Sequence, residues 1–312
     1  MKCRELLIKG TELLKKRGIN SPRLDAEVLL ASAWGRERAD LLIFSEDQVP
    51  KEAELVFYDL LKQRSNGIPV AYLTGKKEFM SLDFYVNSDV LIPRPETELL
   101  VERVLEFLTM LDKPLQTAKR DMTPDYAIGV DEEHLLADVG TGSGAVAVSL
   151  AYYNPKVKVA AIDISHKALQ TAARNAEHHG VNRRVRFLQG DLLTPLLEQG
   201  LIGMGTVVAA NLPYIPTADL PDLPVDVQYE PKNALDGGKD GLEHYRRLIP
   251  QAELFLAPGG LLACEIGIGQ GEMLAGMLEQ EGWKRVEVLK DYAGRERVVT
   301  AVKQDRLGGQ VD

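Results

Sequence analysis

The sequence of 312 residues is short of the features that mark secreted, zinc-binding and membrane proteins. Its two cysteines, Cys3 and Cys264, lie far apart and outside any Cys-x-x-Cys spacing, so neither a disulfide framework nor a structural zinc site is expected. Five scattered histidines form no ligand cluster, and we expect no metal. No run reaches the roughly 18 apolar residues of a membrane span, and the N-terminus lacks the apolar stretch of a signal peptide. We therefore expect a cytoplasmic protein that does not bind membranes.

Positive charge is also scarce, because 37 Lys and Arg residues face 46 Asp and Glu residues and give a formal net charge of −9. A protein that holds nucleic acid by broad phosphate neutralisation needs the opposite balance, so stable nucleic-acid binding is not expected, although a local basic groove stays compatible with the sequence. Hydrophobic residues make up 45% of the chain, which is enough for a substantial core. The length predicts two domains, or one large domain with an extension.

Hydrophobic periodicity divides the chain into three parts. Residues 1–74 carry apolar residues at three- and four-residue steps, which predicts a small all-α N-terminal domain. Residues 75–95 contain two short runs of strand-forming residues and predict a β-hairpin connector. Residues 96–312 alternate strand and helix patterns, so we predict an α/β domain with a mainly parallel sheet. Within it, residues 112–134 are polar and aperiodic, and predict an insertion or mobile loop.

The first predicted strand of the α/β domain runs into a glycine-rich loop, whose residues are Gly140, Thr141, Gly142, Ser143 and Gly144. Glycines after a strand allow a tight turn and let a ligand approach the main chain. The second predicted strand ends at Asp163, 19 residues after the loop. A carboxylate at that spacing can accept hydrogen bonds from both hydroxyls of a ribose, so the pattern predicts a nucleoside cofactor. The loop lacks the lysine-containing pattern of a triphosphate site.

The segment Asp138-x-Gly-x-Gly-x-Gly144 resembles the first motif of class I S-adenosylmethionine-dependent methyltransferases. The resemblance implies a Rossmann-like sheet and S-adenosyl-L-methionine as cofactor, with S-adenosyl-L-homocysteine as product. It also implies that residues 140–144 hold the methionine and ribose side of this cofactor and that Asp163 holds the ribose.

The same resemblance assigns the adenine to the end of the third predicted strand, at Asp191 and Leu192. A carboxylate can accept a hydrogen bond from the adenine amino group, and an apolar neighbour can cover the ring. Asp191 also has a structural interpretation, as the cap of the helix that follows in Gly-Asp-Leu-Leu-Thr-Pro. The sequence leaves both interpretations open.

The fourth predicted strand ends in the tetrapeptide Asn211, Leu212, Pro213 and Tyr214, which we assign to catalysis and substrate binding, with Asn211 also assigned to cofactor binding. The Asn211 side-chain oxygen and the Leu212 carbonyl can each accept one N–H of a planar amino group, while Tyr214 packs on its plane. Such a nitrogen is a poor nucleophile because its lone pair is delocalised. Holding both hydrogens aims the lone pair at the methyl carbon. The alternative is an Asx turn that closes the strand.

Further segments closely resemble the bacterial peptide chain release factor glutamine N5-methyltransferases. They are Gly67-Ile-Pro-Val-Ala-Tyr-Leu-Thr-Gly75, Leu91-Ile-Pro-Arg-Pro-Glu-Thr-Glu98, Glu230-Pro-Lys-Asn-Ala-Leu-Asp-Gly-Gly-Lys-Asp-Gly241 and Tyr245-Arg-Arg. The resemblance covers nearly the whole chain. It implies methylation of the glutamine in the Gly-Gly-Gln loop of class 1 release factors, which become the expected partners, and a helical domain that helps to hold the protein substrate.

One position departs from the family pattern, because the usual tetrapeptide is Asn-Pro-Pro-Tyr and Leu212 replaces the first proline. The carbonyl remains, but rigidity is lost and an N–H is gained. Asn-Leu-Pro-Tyr also resembles the ribosomal RNA adenine N6-dimethylases, so an RNA or DNA adenine N6-methyltransferase is the alternative function, and a scaffold without turnover is a second one. The acidic composition and the position of the extra domain ahead of the catalytic one favour the glutamine enzyme.

Two smaller features have two interpretations each. Arg94, between two prolines, either binds a carboxylate at the cofactor mouth or pairs with Glu96 or Glu98 at the surface. The tripeptide Gly308-Gly-Gln310 near the end of the chain is either a chance match to the expected substrate or a site of self-methylation. The sequence does not decide between them.

Overall fold

The computed structural model of the chain describes residues 1–112 and 133–304. Nearly all of the insertion expected at residues 112–134 therefore lies outside the described residues, and so does the Gly308-Gly-Gln310 tripeptide. None of the helices in the described part of the chain has both the length and the apolar character that crossing a bilayer requires.

The described residues form two compact units. Residues 1–76, 86–88 and 222–230 make up the first unit, and the other described residues make up the second. Residues 222–230 thus join the first unit although they follow it by more than a hundred positions in the chain. The domain limits expected from the sequence, at residues 74 and 95, stay a prediction.

The first unit is helical. Its helices are α1 (Cys3–Lys16), α2 (Pro22–Trp34), α3 (Asp40–Ile43), α4 (Lys51–Ser65) and α5 (Val70–Thr74). Pro22 occupies the first turn of α2, where its missing N–H costs nothing, and Gly35 ends that helix in a left-handed conformation. The apolar faces of α1, α2 and α4 meet in one core, in which Leu6, Leu29 and Phe57 are fully buried.

Strands β1 (Lys76–Phe79) and β2 (Leu82–Tyr85) form a hairpin, which belongs to the second unit from residue 77 onwards. The two turn residues, Met80 and Ser81, both have a positive φ, as a two-residue hairpin turn of the right twist requires. A short 3-10 turn, Pro95–Thr97, then leads into α6 (Glu98–Asp112).

A seven-stranded sheet forms the centre of the second unit, in the order β5-β4-β3-β6-β7-β9-β8. Its strands are β3 (His134–Val139), β4 (Val157–Asp163), β5 (Val185–Gln189), β6 (Gly205–Ala210), β7 (Leu256–Glu265), β8 (Lys284–Lys290) and β9 (Glu296–Val302). Strands β3 to β7 run parallel, and β9 is antiparallel to both β7 and β8. The predicted, mainly parallel Rossmann-like sheet is confirmed.

Helices cover both faces of this sheet. Those that follow α6 are α7 (Ala145–Tyr153), α8 (His166–His178), α9 (Thr194–Leu197), α10 (Glu243–Phe255) and α11 (Gly271–Gln280). Alternate residues of β6 belong to two separate apolar clusters, with Val207 on the face of α6 and α7 and Val208 on the face of α9 and α10. Every residue of β6 is buried as a result.

The strand order reverses at β3, whose two neighbours are β4 and β6. Ligands of such sheets bind outside the carboxyl ends of the strands at this switch point. Val139 at the end of β3 is in register with Ala210 at the end of β6. The glycine-rich loop and the tetrapeptide therefore begin side by side.

A buried asparagine of α8 ties the glycine-rich loop to the hairpin. Asn175 is fully buried, and its amide nitrogen donates to the carbonyl oxygens of Ser143 at 2.8 Å and Tyr85 at 3.0 Å. Its side-chain oxygen accepts the Tyr85 N–H at 2.8 Å. One side chain thus satisfies three backbone groups that are distant in sequence.

Replacing Asn175 with alanine is expected to lower the free energy of unfolding by about 3 kcal/mol, because three backbone groups lose a buried partner and each such loss costs about 1 kcal/mol or more. Urea unfolding followed by circular dichroism measures the change. Gln170→Ala, at an exposed position of the same helix, is the matched control and should stay within about 0.5 kcal/mol of the unchanged protein. Equal effects of the two substitutions would contradict the proposed tie.

Candidate active site

A cavity of about 300 Å³ opens at the carboxyl ends of β3, β4 and β6. Most of the site residues expected from the sequence line it, namely Gly140, Thr141, Gly142, Ser143, Asp163, Asp191, Leu192, Asn211, Leu212 and Pro213. Gly144 and Tyr214 are not among the lining residues. Arg94 and Thr97, which precede α6, and Arg247 of α10 also line the cavity.

The glycines of the loop differ in what surrounds them. Gly140, Gly142 and Gly144 all have a positive φ, a conformation that favours glycine. A side chain at Gly144 would lie 3.0 Å from the Cβ atom of Ala172, so this glycine allows the loop to pack against α8. A side chain at Gly142 would meet nothing nearer than 3.9 Å, so the main chain there is open to a ligand.

Asp138, near the end of β3, holds the glycine-rich loop through hydrogen bonds of its side chain. One of its carboxylate oxygens accepts hydrogen bonds from the Thr141 hydroxyl at 2.6 Å and the Ala147 N–H at 3.0 Å. Because burial disfavours the charged form, the pKa of Asp138 is raised to about 6. These contacts fix both ends of the turn between β3 and α7.

Asp163, at the end of β4, faces the loop from the neighbouring strand. One carboxylate oxygen accepts the Gly142 N–H at 2.9 Å, and the other accepts the Ser165 N–H at 2.8 Å. Burial raises its pKa. Each oxygen retains a second acceptor position, which is what a pair of adjacent hydroxyl groups needs.

The end of β5 places Asp191 and Leu192 at the cavity wall. Asp191 forms an ion pair with Arg247, and both side chains are about half exposed. The short helix α9 begins after Leu193 without a side-chain cap, so the carboxylate of Asp191 does not play the capping role that the sequence left open. Leu192 is buried and has a φ of +52°, a conformation that costs free energy in a residue other than glycine.

The tetrapeptide directs the Asn211 side chain away from its own backbone. The amide nitrogen of Asn211 donates to the Thr97 hydroxyl oxygen at 3.1 Å, so the alternative of a local Asx turn does not describe this side chain. The carbonyl oxygen of the same amide is left to accept another donor. The Leu212 carbonyl oxygen lies 3.5 Å from the hydroxyl of Tyr245 in α10.

A second glycine-rich segment, residues 235–241, packs on the tetrapeptide. A side chain at Gly237 would lie 2.7 Å from the carbonyl oxygen of Pro213, and one at Gly241 would overlap with that of Tyr214. Gln270 donates to the Tyr214 carbonyl oxygen at 2.9 Å. These residues were not predicted to have a role of their own, although the run Gly-Gly-Lys-Asp-Gly is a visible signal of close backbone approach.

Glu265, at the end of β7, was also missed. Only 1% of its surface is exposed, and burial raises its pKa from 4.5 to about 7. The Tyr214 hydroxyl donates to it at 3.4 Å, and burial together with this carboxyl group raises the pKa of Tyr214. An acidic residue at the end of an otherwise apolar strand, in Leu-Leu-Ala-Cys-Glu, was the available signal.

The structure bears on the two interpretations of Arg94, as a cavity residue or as a surface partner of Glu96 or Glu98. The residue lines the cavity, while Glu96 lies 4.0 Å from Arg297 and Glu98 accepts the Met80 N–H at 2.7 Å.

Residues 1–112 and 133–304 contain no group of three or more His, Cys, Asp or Glu side chains that could hold a metal ion.

This fold and site define a methyltransferase of the Rossmann-like class. A family model described as "Methyltransferase domain" matches residues 131–204, and one described as "PrmC N-terminal domain" matches residues 5–75. Among solved structures, the catalytic domain of hMettl16 in complex with MAT2A 3′UTR hairpin 6 is similar, with a TM-score of 0.54 and 14% identity over 80% of this chain and 83% of that one. At that identity, the likeness shows the fold alone.

Full-length relatives define the family more closely. The chain is 44% identical to the release factor glutamine methyltransferase of Moorella thermoacetica over 98% of this chain and 100% of that protein. It is 36% identical to the protein of the same name from Clostridium acetobutylicum, over 97% and 99% respectively. The chain belongs to the release factor glutamine methyltransferase family. It is an S-adenosylmethionine-dependent methyltransferase with S-adenosyl-L-methionine as its cofactor, as the sequence resemblance implied.

The raised pKa of Glu265 predicts a stability that falls with pH. Between pH 4.5 and about 7, the folded chain keeps a proton on Glu265 that the unfolded chain has lost, so the free energy of unfolding decreases as the pH rises. The penalty reaches up to about 3 kcal/mol above pH 7. Glu265→Gln removes it, whereas the similar contribution of Asp138 is common to both proteins. Urea unfolding from pH 4.5 to 8 should show the two stabilities diverging, and parallel profiles would contradict the prediction.

Proposed function

We propose that the protein transfers a methyl group from S-adenosyl-L-methionine to the side-chain amide nitrogen N5 of the glutamine in the Gly-Gly-Gln motif of class 1 peptide chain release factors. The observation that carries the proposal is the position of Asn211 and Leu212 at the cavity wall, where Thr97 binds the Asn211 amide nitrogen and leaves the side-chain oxygen as an acceptor. The names of the full-length relatives support the choice of glutamine as the acceptor. We propose the cytoplasm as the site of action, where release factors work.

The cavity residues fit the cofactor. We assign the loop of residues 140–144 to its methionine and ribose side, because the main chain at Gly142 is open and Asp163 has acceptor positions left for two hydroxyls. We assign the adenine to Asp191, whose second oxygen can accept an amino hydrogen, and to Leu192, which offers an apolar surface. When bound, S-adenosyl-L-methionine supplies an electrophilic methyl group on a sulfonium.

The tetrapeptide holds the nucleophile. Asn211 and Leu212 each accept one hydrogen of the substrate –NH2, which leaves its lone pair as the one direction still open. The Leu212 carbonyl keeps its capacity for this, because the single hydrogen of the Tyr245 hydroxyl is donated to the backbone carbonyl of Glu265. Tyr214 is held by its hydrogen bond to Glu265 and lies outside the cavity lining, so the packing of its ring on the amide plane stays a prediction from the sequence.

Binding in this way lowers the barrier without a strong base. Fixing both N–H groups aligns the nitrogen with the methyl carbon and the departing sulfur for in-line displacement. A methylated amide nitrogen that still carries both hydrogens is highly acidic, so one proton leaves it through an accepting oxygen of Asn211 or Leu212 to water. The step therefore requires positioned acceptors and not a general base.

We further propose that the first unit takes part in holding the protein substrate. Leu42 and Ile43 of α3 each leave 74% of their surface exposed, which is unusual for two adjacent large apolar residues.

The amino group of adenine offers the same two N–H donors as glutamine, so the tetrapeptide alone does not separate the two substrates. The formal charge of −9 argues against nucleic acid.

A direct assay tests the choice of substrate. Purified protein is incubated with S-adenosyl-L-methionine labelled in the methyl group, and with either a class 1 release factor or ribosomal RNA. We expect label in the release factor, none in a release factor whose Gly-Gly-Gln glutamine is replaced by alanine, and none in the RNA. Label in the RNA alone would overturn the proposal in favour of an adenine methyltransferase.

Asn211→Ala is expected to fold and to bind cofactor while kcat falls about 100-fold or more, the cost of removing one positioned polar contact at the reacting atom. Methyl transfer to the release factor measures kcat, and isothermal titration calorimetry measures cofactor binding. Asn182→Ala, at an exposed position ahead of β5, is the control and should retain full activity. Nearly unchanged turnover in Asn211→Ala would place the substrate nitrogen elsewhere.

A further inference from the structure

Three polar side chains form a series of contacts that leads from Asn211 and Thr97, at the cavity wall, to Glu265 in the protein interior. The amide nitrogen of Asn211 donates to the Thr97 hydroxyl oxygen at 3.1 Å, and the Thr97 hydroxyl interacts in turn with the buried carboxyl group of Glu265, whose pKa it lowers. Thr97 is 4% exposed and Glu265 is 1% exposed. Solvent therefore does not compete for these bonds.

While Glu265 is ionised, the donors and acceptors of this series can be arranged in only one way. A carboxylate only accepts hydrogen bonds, and the Thr97 hydroxyl has a single hydrogen, which it gives to Glu265. Its oxygen is then left to accept, so Asn211 must turn its amide nitrogen towards Thr97 and its carbonyl oxygen towards the cavity. The reverse orientation would set two acceptor oxygens against each other with no hydrogen between them.

Glu265 also reaches the tetrapeptide by two other routes. Its carboxyl group accepts the Tyr214 hydroxyl at 3.4 Å, and its backbone carbonyl accepts the hydroxyl of Tyr245, which lies 3.5 Å from the Leu212 carbonyl. One carboxylate oxygen of Glu265 has no hydrogen-bond partner in the described part of the chain. A buried acceptor left without a partner costs stability, so packing does not explain why this position is acidic.

We propose that Thr97 and Glu265 are positioning residues that fix the orientation of the Asn211 amide, so that its carbonyl oxygen faces the substrate nitrogen. The inference rests on the proposed function and deepens it. Neither residue touches the reacting atoms. They act by excluding the flipped amide, which would present an N–H donor to a substrate that is itself a donor.

Protonation of Glu265 reverses the effect. The protonated group can donate to Thr97, whose hydrogen is then free to turn towards Asn211 and support the flipped amide. The charged groups around Glu265 are Arg297 of β9, which favours the ionised form, and Glu96 of the 3-10 turn, which opposes it. With burial raising the pKa to about 7, kcat should fall as the pH drops through neutrality.

Two variants of Thr97 separate its hydroxyl from its shape. Thr97→Val keeps the volume and loses the hydroxyl, and we expect kcat to fall about 10- to 100-fold, as for other side chains that orient a functional group, with little change in the KM for S-adenosyl-L-methionine. Thr97→Ser keeps the hydroxyl and should retain most of kcat. Full activity in the valine variant, or an equal loss in the serine variant, would overturn the inference.

The pH profile gives a second readout that does not depend on the valine variant folding. In the unchanged protein, kcat should show an acid limb near pH 7. Glu265→Gln has no ionisable group at this position, so its kcat should lack the acid limb. Its side-chain oxygen can still accept from Thr97 but carries no charge, so kcat should be lower than in the unchanged protein at pH 8. An acid limb that persists unchanged in Glu265→Gln would contradict the assignment.

A measurement on the free protein distinguishes failure of this inference from failure of the proposed function. The side-chain amide hydrogens of Asn211, observed by nuclear magnetic resonance, should exchange slowly in the unchanged protein at pH 8 and faster in Thr97→Val. That result together with inactivity towards release factors would refute the proposed substrate and leave the positioning role of Thr97 standing. Activity towards release factors with identical exchange in both proteins would refute the positioning role alone.

Discussion

The site depends on the register of two neighbouring parallel strands. Val139 of β3 lies opposite Ala210 of β6, so both strands end at the same level and their following loops start next to each other. Gly140 permits this approach, since a side chain there would lie 3.1 Å from Leu212. A shift of one residue between the strands would turn every side chain of β6 to the other face and separate the glycine-rich loop from the tetrapeptide.

Carboxylates at the ends of three strands then convert this register into fixed geometry. Asp138 holds the glycine-rich loop, Asp163 holds the main chain of that loop from the next strand, and Glu265 binds both Thr97 and Tyr214. Burial raises the pKa of all three, which shows that each is kept in a position that disfavours its charge. This arrangement lowers the stability of the fold but preorganises the site, because donors and acceptors need not reorient during the reaction.

Local patterns in the sequence predicted the parts of the site that follow strand ends. The glycine-rich loop, Asp163 and the tetrapeptide could be found because strand, turn and helix signals adjoin them. Thr97, Asn175, Arg247 and Glu265 could not be assigned, because each acts through a partner between 51 and 114 residues away. Such pairings depend on how the sheet and helices are arranged, so even the acidic residue that ends the apolar strand β7 does not reveal its partners in a single sequence.

Leu212 shows how the fold accommodates a departure from the family tetrapeptide. A proline at this position would restrict the backbone, and leucine does not. The structure replaces that restraint with packing, since Leu212 is 5% exposed and belongs to the apolar cluster of Leu242 and Tyr245 on one face of the sheet. The close approach of Gly237 to the carbonyl of Pro213 confines the next peptide as well. Because the acceptor that we propose at residue 212 is a main-chain carbonyl, the substitution changes how this carbonyl is held and leaves its chemistry intact.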